Sequence, residues 1–484
     1  MRVSADPLTA GRNVMGNEIW SWDAAATATA IRARKISSRQ AVEAALGRLD
    51  RVNCAINAVV ENLADEALAA ADQADTALAA GAACGPLHGV PVTTKINVDL
   101  AGHPTTNGLV AMKDAIAREN SAPVAALRRA GAIIIGRTNV PAFSYRWFTG
   151  NDLHGITRNP WNPALSPGGS SGGAAAAIAV GIGALAHGND VAGSLRLPAS
   201  ACGVYGMRPT VGRLASYNPS QPAEKSLCLQ IGATEGALAR SVRDLRLGLA
   251  ALEAPDHRDP WQVPPPPFSD NDRLPCRVAL FTGEREFGTA PEIAATVRDA
   301  AGWLEDAGYV VEEIAPPHLA EMAQLWMSML YAECSGPVRD IMFGLGDEAF
   351  RRSFADSIAN FPILDAVGLH HAWERRLAIQ REWTRFLHDY PIALMPTSLQ
   401  PTFPLDHDLA GREALAVIAK AFNPLSSIAG LALPAISAPA GSAAGAPAGV
   451  QIVAGRFMEE RCLAAAAVME ERIGKLLPID PRTT

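Results

Sequence analysis

Between Ser166 and Pro198 the chain reads SPGGSSGGAAAAIAVGIGALAHGNDVAGSLRLP, and this stretch constrains everything around it. A glycine-serine loop, Gly168 to Gly173, opens an Ala-rich apolar run, and a second turn, Asn189 to Ser194, closes it. Glycine lets a turn enter φ > 0 and lets other groups approach the backbone closely. Ser170 and Ser194 therefore occupy two turns in which a hydroxyl is presented beside main-chain N–H groups. The run itself, Ala174 to Ala186, is too short and too rich in small residues to span a bilayer, so it reads as a buried helix with a loop-built site at its ends.

The rest of the composition fits a soluble globular fold. The chain has 484 residues, of which 49% are hydrophobic and 19% charged, a globular rather than a disordered balance. A net charge of −7 with no basic stripe argues against nucleic acid as a partner. The 7 cysteines are scattered, without CxxC or Cys/His ligand spacing, which favours a reducing compartment and no structural metal. The N-terminus lacks a long apolar segment, so no leader is read and a cytoplasmic location is expected.

Along the chain, residues 1–15 read as a tail. Two amphipathic helices follow, the second opening at Ser37 with Gln40 three positions on, a capping-box pattern. A third helix is expected over about 61–80. Gly89-Val-Pro-Val-Thr-Thr-Lys95 reads as a strand ending in a lysine. A helix capped by Ser121 then leads to a buried strand, Ala132 to Ile135, and this strand–helix–strand order predicts an α/β fold with a largely parallel sheet. A loop with Phe143, Tyr145, Trp147 and Phe148 precedes the glycine-serine turn. Residues 254–275 are a Pro-rich excursion, 318–388 are helical and aromatic, and strands at 391–395, 434–438 and 449–454 precede a last helix.

The glycine-serine loop lacks the Gly-Lys-Ser/Thr of a phosphate loop. It matches G-x-S-x-G, yet Pro160, Pro163 and Pro167 exclude the strand that must precede a nucleophile elbow. Ser194 is the better nucleophile, because Val191-Ala192-Gly193 can offer N–H groups to an oxyanion. Its base is open between a histidine, His187 or His103, and Lys95, which burial at a strand end would render neutral. The plainer reading of Lys95 is a surface lysine paired with Asp99.

Several segments together resemble the amidase signature family, the Ser-cisSer-Lys amide hydrolases. They are Gly89–Lys95, Arg158-Asn-Pro-Trp-Asn162, Pro167–Gly173, Asp190-Val-Ala-Gly-Ser-Leu-Arg196, Cys202–Pro209, Pro434–Ser437 and Gly449–Val453. The resemblance covers roughly residues 20–475 and implies the amidase signature fold, an α/β fold with a large mixed, mostly parallel sheet between helices. A single domain over 16–475 would contain a signature core at 84–243 and a substrate-covering region at 318–388, with 476–484 a tail. It implies Ser194 as nucleophile, Ser170 as the bridging serine after a cis bond from Gly169, and Lys95 as base. Val191, Ala192, Gly193 and Ser194 would supply the oxyanion hole, with Ser171, Asp190 and Arg196 supporting it. Phe143, Ser144, Tyr145, Trp147, Gly169 and Leu195 would line the pocket.

Three departures stand out. Ile96 replaces an acidic residue after Lys95, Ala192 replaces a glycine, and Ala142 replaces a glutamate. The turn His187 to Ser194 is similar to that of the nylon cyclic-dimer hydrolase branch. The expected partner is a small amide, ester or carbamate, with no cofactor, nucleic acid or membrane, and with room for a homodimer. The alternative is the A subunit of a tRNA-dependent glutamine amidotransferase, whose turn usually carries glutamine where Leu197 stands here.

Overall fold

A computed structural model describes residues 18–221, 224–266 and 275–482. The expected tail at 1–15 and part of the Pro-rich excursion lie outside the described residues. Thirteen strands are present among the described residues. The first eight are β1 (Val59–Asn62), β2 (Pro91–Lys95), β3 (Ile133–Thr138), β4 (Gly150–Asn151), β5 (Gly155–Ile156), β6 (Leu185–Asp190), β7 (Tyr205–Arg208) and β8 (Thr234–Ala239). The rest are β9 (Arg277–Leu280), β10 (Val310–Glu313), β11 (Ile392–Pro396), β12 (Ala435–Ala443) and β13 (Ala446–Ala454).

All but the small β4–β5 pair form one 11-stranded mixed sheet in the order β1-β3-β2-β6-β8-β7-β12-β13-β11-β9-β10. Parallel pairing is confined to its two flanks: β3-β2-β6 on one side, β11-β9-β10 on the other. The centre, β6-β8-β7-β12-β13, is antiparallel.

Strand β2 has every residue buried, as a strand covered on both faces must. Its register against β6 pairs Val92 with Leu185 and Thr93 with Ala186. Lys95 therefore reaches the carboxyl end of the parallel flank level with the last residues of β6. Crevices beyond the carboxyl ends of parallel strands are where α/β sheets hold ligands.

The apolar run is not one helix. Gly172–Ala179 is helical, and the chain then turns at Gly181 and Gly183, both at positive φ, into β6. The helix is made of small residues because it lies close to its neighbours. A Cβ on Gly173 would stand 2.5 Å from the Asn139 N and 2.7 Å from the Ala58 O. On its other side it joins an apolar cluster with Ile135, Ala186, Leu195 and Leu238.

Elsewhere the local signals translate directly. Ser37 and Gln40 make the reciprocal capping box on Ser38–Ile56. Ser121 precedes Ala122–Arg129, but its hydroxyl donates to the Asp99 carbonyl instead of capping. The expected helix at 61–80 is Ala64–Ala79, because β1 takes residues 59–62. The described part of the Pro-rich excursion forms turns tied down by a Val263 N–H to the Gly212 carbonyl (2.8 Å). Residues 476–482 lie across the body: Ile479 donates to the Ala179 carbonyl (3.0 Å) and Asp480 pairs with Arg48 (2.6 Å).

Helices Leu319–Glu333, Pro337–Leu345, Glu348–Ile358 and Ala366–Asp389 form a layer beside the two turns. Their aromatic side chains pack with Phe143 and Tyr145 and against Val191 and Ala192. No helix of the described residues is long and apolar enough to cross a membrane.

Candidate active site

Lys95 is fully buried, and its Nζ lies 2.7 Å from Ser170 Oγ and 2.7 Å from Asn189 Oδ1. The peptide bond between Gly169 and Ser170 is cis. Burial lowers the pKa of Lys95 to about 7, against the pull of Glu235 and Asp190, whose charges favour the ammonium. That pull is weakened because both carboxylates have other partners. Glu235 accepts from His187 (2.9 Å) and Ser216 (2.7 Å), and Asp190 is held between Arg196 and Arg208.

The histidines are therefore accounted for. His187 is paired with Glu235, and His103 lies between Glu61 and Glu66. Asp99 does not pair with Lys95: it accepts from Thr105 and from Ser220.

Asp190 organises the second turn. Its carboxylate accepts the N–H groups of Gly193 (2.8 Å) and Leu195 (3.1 Å) and the Arg196 guanidinium (2.9 and 3.0 Å). The arginines hold it well below the usual carboxylate range. Gly193 carries the left-handed step, with φ 108°, while Ala192 stays out of the positive-φ region, as its Cβ requires. Because Asp190 takes the Gly193 N–H, that group is not free for an oxyanion. The N–H groups of Val191, Ala192 and Ser194 lie outside this bond.

Two tryptophans fix the turn from outside. Trp326 Nε1 donates to the Val191 carbonyl (2.8 Å) and Trp147 Nε1 to the Ala192 carbonyl (3.0 Å). In a planar trans peptide the N–H points opposite the carbonyl. The Ala192 N–H is thus aimed away from Trp326. The two serine turns are joined by the Ser171 N–H, which donates to the Ser194 carbonyl (3.2 Å). Ser194 is 6% exposed, and its hydroxyl has no hydrogen-bond partner among the described residues.

The pocket residues divide. Phe143, Ser144, Tyr145 and Trp147 are half-buried. Phe143 and Ser144 adopt successive left-handed conformations, φ 57° and 55°. Tyr145 packs edge-on to Phe350 and Tyr331, and Trp147 packs edge-on to Phe422. Leu195 is a core residue: it is fully buried, with its methyls over Gly188 and Gly236 on neighbouring strands. Gly169 is also buried, where a Cβ would meet the Trp147 backbone at 2.6 Å. Asn189 and Asn97, which touch Lys95 or its partner, carry no pattern that singles them out in the sequence.

A model of the Amidase family matches residues 40–463. The chain belongs to this family. It is an amide-bond hydrolase by membership, with the mixed sheet and flanking helices of its relatives. It is 41% identical to an indoleacetamide hydrolase of Bradyrhizobium diazoefficiens, over 95% of this chain and 88% of that one. It is 33% identical to the A subunit of the glutamyl-tRNA(Gln) amidotransferase of Moorella thermoacetica, over 90% and 94%. Among solved structures it resembles a 6-aminohexanoate cyclic dimer hydrolase complexed with substrate, with TM-score 0.81 and 28% identity, over 96% and 99% of the two chains.

Proposed function

We propose that this amidase cleaves neutral, aryl-substituted carboxamides through Ser194, Ser170 and Lys95. The observation that carries the reading is Lys95: a fully buried amine with a pKa lowered to about 7, 2.7 Å from Ser170 Oγ. The neutral amine takes the Ser170 proton as Ser170 takes that of Ser194. The Ser194 oxygen then adds to the amide carbonyl. The oxyanion is met by the N–H groups of Val191, Ala192 and Ser194. The ammonium returns its proton through Ser170 to the leaving nitrogen, the C–N bond breaks, and water hydrolyses the acyl ester by the same relay.

The substrate class follows from what surrounds the turn. Phe143, Tyr145, Trp147 and Trp326 are apolar bodies, and a charged substrate group placed among them loses hydration without an ionic partner. The relative at 41% identity is an indoleacetamide hydrolase, a name that points to an aryl acetamide. Leu197, where the amidotransferase turn usually carries glutamine, is buried against Phe148 and Phe422 and offers no amide to a glutamine substrate. Esters and carbamates present the same carbonyl and are expected as slower substrates.

A kinetic panel of indole-3-acetamide, a nitroanilide, a nitrophenyl carbamate and glutamine tests this. The aryl amides should have the highest kcat/KM and glutamine the lowest. Preference for glutamine would reverse the reading.

A further inference from the structure

Lys95 has a second partner that the relay above does not use. Asn189 Oδ1 lies 2.7 Å from its Nζ. A neutral amine has two hydrogens and one lone pair. If one hydrogen is held by a fixed acceptor, the lone pair has fewer directions left, and one of them faces Ser170 Oγ. Asn189 is such an acceptor because its own amide is clamped. Its Nδ2 donates to Asn97 Oδ1 (3.2 Å), and Asn97 Nδ2 reaches back to Asn189 Oδ1 (3.3 Å). The reciprocal pair ties the orientation of each amide to that of the other. Asn97 Nδ2 also donates to Ser144 Oγ (3.0 Å), which donates to Asn107 Oδ1 (2.7 Å). The chain of amides thus ends on the left-handed loop at Phe143–Ser144.

We propose that Asn189, locked by Asn97, is the positioning residue that aims the Lys95 lone pair at Ser170 and keeps the amine free of a charged neighbour. This deepens the Ser194-Ser170-Lys95 reading and rests on it.

The charges around Lys95 make the neutrality of Asn189 matter. On the strand of Lys95 itself, buried Ile96 follows and brings no charge. From β6, His187 is paired with Glu235 of β8, and Asp190 is paired with Arg196 and with Arg208 of β7. From β3, Arg137 is paired with Glu61. Asp190 and Arg137 have counter-ions other than Lys95, and Glu235 accepts hydrogen bonds from His187 and Ser216. A carboxylate at position 189 would have the Lys95 ammonium as its direct partner and would favour the protonated, inactive base.

The test is Asn189→Asp, which replaces a single heavy atom, Nδ2 by oxygen, and preserves the acceptor. The pH dependence of kcat/KM for an aryl amide should show its acidic limb moved up by about one pH unit or more, with activity recovering toward the parent above it. That recovery distinguishes a shifted base from a damaged fold. Asn189→Leu, without an acceptor, should lower kcat about tenfold at every pH with little change in KM. Asn97→Leu should lower kcat several-fold and leave the limb in place. Lys95→Ala is run alongside. If it remains active, the relay reading itself fails. If it is inactive while Asn189→Asp keeps the parental limb, or Asn97→Leu keeps the parental kcat, this inference fails alone.

Discussion

The two serine turns and the helical layer beside them are built in opposite ways. Around the turns, the buried charged groups Lys95 and Asp190 have assigned partners: Lys95 with Ser170 and Asn189, and Asp190 with two arginines and two N–H groups. In the layer at 319–389, apolar rings pack on one another without polar direction, Tyr331, Phe343, Phe350 and Phe354 forming one cluster with Phe143 and Tyr145. A buried charge that loses one partner costs roughly 3–5 kcal/mol, whereas a volume-conserving apolar exchange usually costs under about 1.5 kcal/mol. The turns therefore tolerate almost no substitution, and the layer can be repacked. We read the first as the seat of the chemistry and the second as the seat of substrate choice.

The sharpest break in that contrast is at Lys95. Lys95→Ala should lower kcat/KM by about a thousandfold, the scale of a lost general base. The parent enzyme should gain activity as pH rises through about 7 and level off above it, because burial holds the folded pKa there and only the neutral amine accepts a proton. Lys95→Ala should lose that limb with the activity. Retention of the limb would assign it to another group.

Trp326 joins the two regions, and its replacement should have an intermediate effect. Trp326→Phe keeps the packing of the layer but leaves the Val191 carbonyl without its donor, a cost of roughly 1–3 kcal/mol in a buried setting. Reduced thermal stability with kcat lowered about tenfold is expected. A change in KM alone would show that Trp326 belongs to the layer's role and not to the turn's. The smallest effect is expected inside the layer. Phe354→Leu should shift KM among aryl amides a few-fold and leave kcat within about twofold of the parent. An equal loss of kcat on every substrate would dissolve the division between the regions.

The same contrast sets how much of the fold and site is legible in the sequence. Lys95 as the base is implied only by the family resemblance, whereas Ser170 and Ser194 lie in short segments whose glycines, prolines and serines carry their own conformational meaning. The capping box at Ser37 was legible for the same reason. Asn189 and Asn97 were not, because an asparagine beside a turn has a local explanation that needs no distant partner. Strand β1 was hidden by its length: four residues between two helices show no clear alternation. The break in the apolar run is masked because its alanines favour a helix beyond Ala179, where the chain instead turns at Gly181 and Gly183 into a strand. Leu195 looked like a pocket residue from its place beside Ser194, but Gly188 and Gly236 make room for it in the core. In the helical layer, rings at helical spacing are equally consistent with core and with pocket, so only the packing assigns them.

Ser194 Oγ is the atom that should bond to the substrate carbonyl. A fluorophosphonate should label the enzyme once, and mass spectrometry of the digested protein should place the adduct on Ser194, with Ser194→Ala unlabelled and still folded. An adduct on Ser170, or unchanged labelling of Ser194→Ala, would contradict it.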